Sequence, residues 1–142
     1  MLLGYRKHPG SVSQTHASVQ VENSNRVRTK LLNLLGIMPS ATELEIHRSF
    51  TPPDTMNTEA FLEQIQNWFI KILAANKEIK VYSQVSLEKV LSRRWLDVCS
   101  ANTGFGLRIW KKFRESPGIG KITLRNGGGI LKFFIKCLYG KK

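Results

Sequence analysis

The chain is short of acid where base is densest. Residues 93–142 contain only Asp97 and Glu115 against twelve Lys and Arg, so they hold +10 of a formal net charge of +12. Residues 1–50 contribute +3 and residues 51–92 contribute −1. An excess confined to one region selects a polyanionic partner, which means DNA, RNA or an anionic membrane surface. Cysteine is also scarce. Cys99 and Cys137 are the only two, too few for a disulfide framework in so short a chain, and they read as buried thiols in a reducing compartment. No apolar run approaches the roughly 18 residues of a membrane span. Met1-Leu-Leu-Gly-Tyr-Arg-Lys-His8 is too short an apolar start for a secretory signal. Residues 1–21 lack acid and contain several Ser and Thr, a trace of a mitochondrial presequence that Pro9-Gly10 and a lone Arg6-Lys7 pair weaken.

Catalytic signatures are missing too. His8, His16 and His47 all fall in the N-terminal third, and their spacing to the cysteines suggests no zinc site. Gly118-Ile-Gly-Lys-Ile-Thr123 resembles a phosphate loop only superficially. Glu115 stands at the required first glycine and Ile122 where Ser or Thr binds the metal. The expectation is a protein that is not an enzyme and uses no cofactor or metal.

What is present is enough for one core: 142 residues, 42% apolar, with seven Phe and three Trp. Residues 1–25 lack a hydrophobic period and read as a disordered tail. Residues 26–56 read as a short helix, carried by Val27, Leu31, Leu34 and Leu35 and closed by Gly36, followed by a linker from Pro39 to Asp54. Thr58 to Lys77 is the clearest helix, with Phe61, Leu62, Ile65, Phe69, Ile72 and Leu73 at three- and four-residue spacing. Glu78–Ser83 alternates like a short strand, and Ser83 caps a helix over Gln84–Cys99. In Phe105–Arg114, Phe105, Ile109, Trp110 and Phe113 cover one side of a helix and Arg108, Lys111 and Arg114 the other. Gly104 and Gly106 push its start towards Leu107. After Pro117-Gly118, two β-like runs, Lys121–Arg125 and Ile130–Cys137, flank Asn126-Gly-Gly-Gly129.

That order predicts an α+β fold: a winged helix-turn-helix over residues 57–142, three helices plus a small antiparallel hairpin and sheet, with a flexible N-terminal extension. One face of the hairpin would pack on the helices and the other stay cationic; Phe134 falls on the polar side as an exception. The Phe105-Gly106-x-x-Ile109 helix paired with a basic, Gly-Gly-containing hairpin resembles RFX-type winged helices. It is similar also to the winged domains that close some viral and phage primase-helicases. The resemblance covers residues 57–138 and is architectural. The Arg-rich signature of the RFX wing is not present and no ATPase region precedes the domain, so it implies only general roles for a third helix and a wing.

The function expected on this reading is nucleic-acid binding, with duplex DNA favoured over RNA. Arg108, Lys111, Lys112 and Arg114 would approach the major groove, Lys121, Arg125 and Lys132 on the wing would reach adjacent phosphates, and Arg93 and Arg94 would extend the track. The alternatives are a structural RNA-binding component of a ribosomal or organellar ribonucleoprotein, and a protein-interaction or membrane-apposed, matrix-like module. A larger protein assembly is a further candidate partner; a membrane is not the expected one. The location implied is intracellular, nuclear or nucleoid-associated before mitochondrial.

Overall fold

The computed structural model describes residues 17–49, 58–120 and 127–139. They form six α-helices: α1 (Ala17–Leu34), α2 (Ala41–Ser49), α3 (Glu59–Ile79), α4 (Gln84–Ala101), α5 (Leu107–Glu115) and α6 (Gly127–Leu138). A 3₁₀ turn, Thr103–Phe105, links α4 to α5. The organising element is α3. Its apolar stripe places Leu62, Ile65, Trp68, Phe69, Ile72 and Leu73 in the core. The Thr58 hydroxyl starts it by accepting the Phe61 N–H at 3.2 Å. Against that stripe pack Leu91, Trp95, Val98 and Cys99 of α4, where Phe69 and Trp95 meet edge to face at 6.4 Å. Ile109 and Phe113 of α5 and Phe133 and Cys137 of α6 close the far side.

The expected α+β winged helix is therefore corrected: the described residues are helical and contain no strand. At Glu78–Ser83, α3 continues through Ile79 and stops at Lys80, which takes a left-handed backbone (φ 59°) and donates its N–H to the Asn76 carbonyl. Ile79 and Val81, the would-be buried side of a strand, are exposed. The cause is the buried Asn76 side chain, whose Oδ1 accepts from the Tyr82 N–H at 2.8 Å while its Nδ2 donates to the Tyr82 carbonyl at 3.0 Å. The backbone groups a sheet neighbour would need are already used.

Residues 130–137, expected as the second hairpin strand, lie within α6. A short apolar run fits a period of 2 or of 3.6 equally well. Burial selects the helical set: Ile130, Phe133 and Cys137 are buried, whereas Leu131 and Ile135, which a strand would have turned inward with Phe133, face out. As a helix residue, Phe134 is no longer anomalous, since its ring packs on Trp110 at 4.7 Å. The first expected strand, 121–125, lies outside the described residues.

The described part of the N-terminal third carries two helices. Helix α1 begins at Ala17, inside the stretch read as a tail, and α2 lies inside the expected linker. A capping box starts α2: Ser40 N–H donates to Glu43 Oε2 at 2.9 Å and Glu43 N–H to Ser40 Oγ at 3.1 Å. Buried Ile46 then docks α2 on the core.

Candidate cationic surface

Helix α5 is held in place from two directions. At its N-terminus Gly106 adopts φ 62°, and a Cβ there would lie 3.6 Å from the Cys137 carbonyl, so the start of α5 abuts the end of α6. One turn on, Trp110 meets Phe133 at 5.5 Å and Phe134 at 4.7 Å, which makes the two helices antiparallel. At the C-terminus the chain turns through Ser116–Gly120. The buried Ser116 hydroxyl donates to the Lys112 carbonyl at 2.6 Å and accepts from Gln66 Nε2 at 2.8 Å and Trp95 Nε1 at 2.9 Å. Ile119 is fully buried, and Gly120 N–H donates to the Ser116 carbonyl at 2.9 Å. The described part of the stretch with phosphate-loop character, residues 118–120, thus belongs to a packed turn.

With its inner side committed, α5 turns Leu107, Arg108, Lys111, Arg114 and Glu115 to solvent. The four expected cations of this helix do not act alike. Arg108 pairs with Glu59 of α3 at 2.8 Å, with both side chains more than half exposed; such a pair stabilises little, but it occupies the charge. Lys112 is half-buried and close enough to Cys99 for its charge to act on the thiol. Lys111 and Arg114 are exposed, and no carboxylate among the described residues pairs with them. A shallow groove between α3 and α5 is lined by Glu59, Leu62, Arg108, Ile109, Lys112 and Glu115, among others. Its mixed signs make it a poor seat for an anion.

Arg93 and Arg94 are exposed on α4. Ser92 marks the side of α4 facing the turn after α5, because its hydroxyl reaches the Gly118 carbonyl at 3.5 Å. At about 100° per residue Arg94 lies nearly opposite Ser92, away from α5, and Arg93 about a quarter-turn from Ser92. Lys132 is exposed on α6 rather than on a wing, and Lys121 and Arg125 lie outside the described residues. So the fold gathers Arg108, Lys111, Lys112 and Arg114 on one helix and does not bring Arg94 to it. Lys136, expected on the free cationic face of the hairpin but not among the binding residues, is exposed on α6. The Trp110–Phe134 seam escaped the sequence reading, and the helical spacing of Ile130, Phe133, Phe134 and Cys137 was its signal.

The cysteines are free and buried. Burial, and secondarily the neighbouring Cys137, pushes the Cys99 thiol far above its ordinary range; burial raises Cys137 as well. Neither is an activated nucleophile. Among the described residues no three His, Cys, Asp or Glu side chains gather in a way that would hold a metal ion. No family model, curated protein or solved structure matches the chain.

Proposed function

We propose that the chain binds nucleic acid, duplex DNA in the first instance, through the outer side of α5. The observation that carries this reading is the pair Lys111 and Arg114. Both are exposed on a helix braced at each end and lack an acidic partner among the described residues, within the segment that holds +10 of the net charge. Arg supplies a planar fork for phosphate or guanine, and Lys a point charge. Arg93 and Lys132 add charge on the adjacent helices. Affinity is then dominated by phosphate neutralisation and falls steeply with salt.

The test is a salt series of electrophoretic shifts on duplex DNA with the native chain and with Lys111→Glu/Arg114→Glu. Loss of two phosphate contacts makes the log–log salt slope shallower by about 2, with helical circular dichroism unchanged because both side chains lie at the surface. Identical slopes for the two proteins would refute the assignment of this face. Competition by duplex RNA and by single strands belongs in the same experiment. RNA outcompeting duplex DNA transfers the reading to a ribonucleoprotein component.

A further inference from the structure

We propose that the outer face of α6, continuous with its seam against α5, docks on an anionic lipid bilayer, lying in the interface rather than crossing it. This goes beyond the nucleic-acid reading and is centred on a different helix, with Lys111 and Arg114 of α5 serving only as its far edge. Ile130, Phe133 and Cys137 point α6 into the core. At about 100° per residue, Leu131, Ile135 and Leu138 fall together on another side, and they are 60%, 44% and 50% exposed. Three aliphatic side chains of a twelve-residue helix are thus aligned towards water. Tyr139, 77% exposed, follows directly.

The stripe has cationic edges. Going round α6 away from the core, Phe134 comes first, then the aliphatic stripe, then Lys132 and Lys136. Phe134 meets Trp110 of the antiparallel α5. Beyond Trp110 on that helix come exposed Leu107 and Arg114, then Lys111. Glu115 comes next round α5 after Lys111 and lines one shallow depression with Trp110, Lys111 and Arg114, so it closes the cation row on that side; residues 116–142 hold no acid. An aliphatic strip between two rows of cations, with Trp and Tyr beside it, suits a bilayer surface: acyl chains take the aliphatics, headgroups the ammonium and guanidinium groups, and the interface the aromatic rings.

The same chemistry argues against other occupants. Phosphates of a nucleic acid satisfy Lys132 and Lys136 but leave Leu131, Ile135 and Leu138 without a partner. A second copy docked α6 to α6 sets lysines against lysines across a two-fold axis, a repulsive arrangement. Insertion across the bilayer is not available to the described helices, none of which is long and apolar enough to span one.

The experiment is co-sedimentation of the full chain with phosphatidylcholine vesicles, with and without phosphatidylserine. The variants are Leu131→Gln/Ile135→Gln and Lys132→Glu/Lys136→Glu. The native chain pellets with the anionic vesicles only, and each double variant weakens binding by at least about tenfold. Leu131→Gln/Ile135→Gln leaves the DNA shift unchanged, which separates this proposal from the previous one. Should a variant lose helical circular dichroism, quenching of native tryptophan fluorescence by brominated lipid decides, because Trp68 and Trp95 are buried and only Trp110 stands at the seam. No binding of the native chain to anionic vesicles, undiminished binding by Leu131→Gln/Ile135→Gln, or a dimer in solution that this variant dissociates would each overturn the proposal.

Discussion

The turn at Ser116–Gly120 and helix α6 both brace α5, and they do so in opposite ways. The turn keeps its chemistry inside: Ser116 bonds to three partners, Ile119 is fully buried, and a hydroxyl unites α3, α4 and α5. Among the described residues helix α6 holds on by apolar contact, through Phe133 and Phe134 on Trp110 and Phe113, and leaves three of its four aliphatics in water. A turn whose serine hydroxyl bonds to three partners tolerates little change and has little to offer a partner. A helix seated by one face can present the other. On the docking proposal stability falls to the turn and recognition to α6, and mutations in the two should differ in kind.

The largest expected effect is at the turn. A Cβ on Gly120 would collide with the carbonyl oxygen of Phe113 and sit 2.9 Å from that of Arg114 and 3.0 Å from that of Ser116. These are backbone atoms, which have no rotamer to escape into. Gly120→Ala is expected to cost about 3 kcal/mol or more, read from the denaturation midpoint. Ser116→Ala comes next. It strands the Trp95 and Gln66 donors beneath the surface and should cost about 2 kcal/mol. A change under 0.5 kcal/mol, about the scatter of surface substitutions, would break the contrast, because it would mean that the turn is no more constrained than the surface.

Why half of this was legible beforehand is a question of which interactions are local. The helix at 58–77 rests on a long stripe of one period, and the start of α5 near Leu107 on glycine propensity; short segments suffice to read both. Ser40-Ala-Thr-Glu43 carried a local signal as well, the capping box that starts α2, and was passed over for the prolines around it. By contrast, the Asn76 side chain that occupies the Tyr82 backbone, and so removes the expected strand, is a buried polar group whose partners no periodicity reveals. Residues 130–137 fit two periods, and only packing on Trp110 chooses between them. The cationic surface was half legible for a similar reason. Exposure of Lys111 and Arg114 follows from the helical wheel, but the pairing of Arg108 with Glu59, forty-nine residues earlier, depends on how α3 and α5 pack.

The same substitution that breaks the turn should help α6. A Cβ on Gly128 or on Gly129 meets nothing within 4 Å, and both residues are exposed in the first turn of the helix. Gly128→Ala is expected to stabilise by about 0.5–1 kcal/mol, through higher helix propensity and a less mobile unfolded chain. The two glycine variants, eight residues apart, then move the melting temperature in opposite directions. Destabilisation by Gly128→Ala would show that the start of α6 has a packing demand that the open space around it does not reveal.

The smallest effect is a matter of pH, and it separates two polar anchors of otherwise similar design. Near the middle of α3, Trp68 Nε1 donates to His47 Nδ1 at 3.3 Å, with the rings edge to face at 5.8 Å. As at Ser116, an indole N–H is paired with a side chain from another element, but this acceptor titrates. Burial, and then the charge of Arg28, hold the His47 imidazole below its ordinary range. Lys71, over the Trp68 ring at 5.6 Å, is paired with Glu43 at 2.6 Å. The folded state therefore favours neutral His47, and the unfolded chain binds the extra proton once pH falls below about 6.5. Stability from this contact is complete above that value and is lost as pH drops from it towards the lower folded value. Glu43, held below the usual carboxylate range first by its hydrogen bond from Lys71, responds only in more acidic solution, so the windows are distinct. Denaturation curves of the native chain and His47→Gln from pH 8 to 5 should converge as pH falls, because the variant lacks this proton linkage. The Ser116 hydroxyl has no proton to gain in this range, so Ser116→Ala keeps the native pH dependence. Parallel curves for the native chain and His47→Gln would mean that the imidazole takes up its proton equally in the folded and unfolded chain, and that Trp68 is held by the apolar core alone.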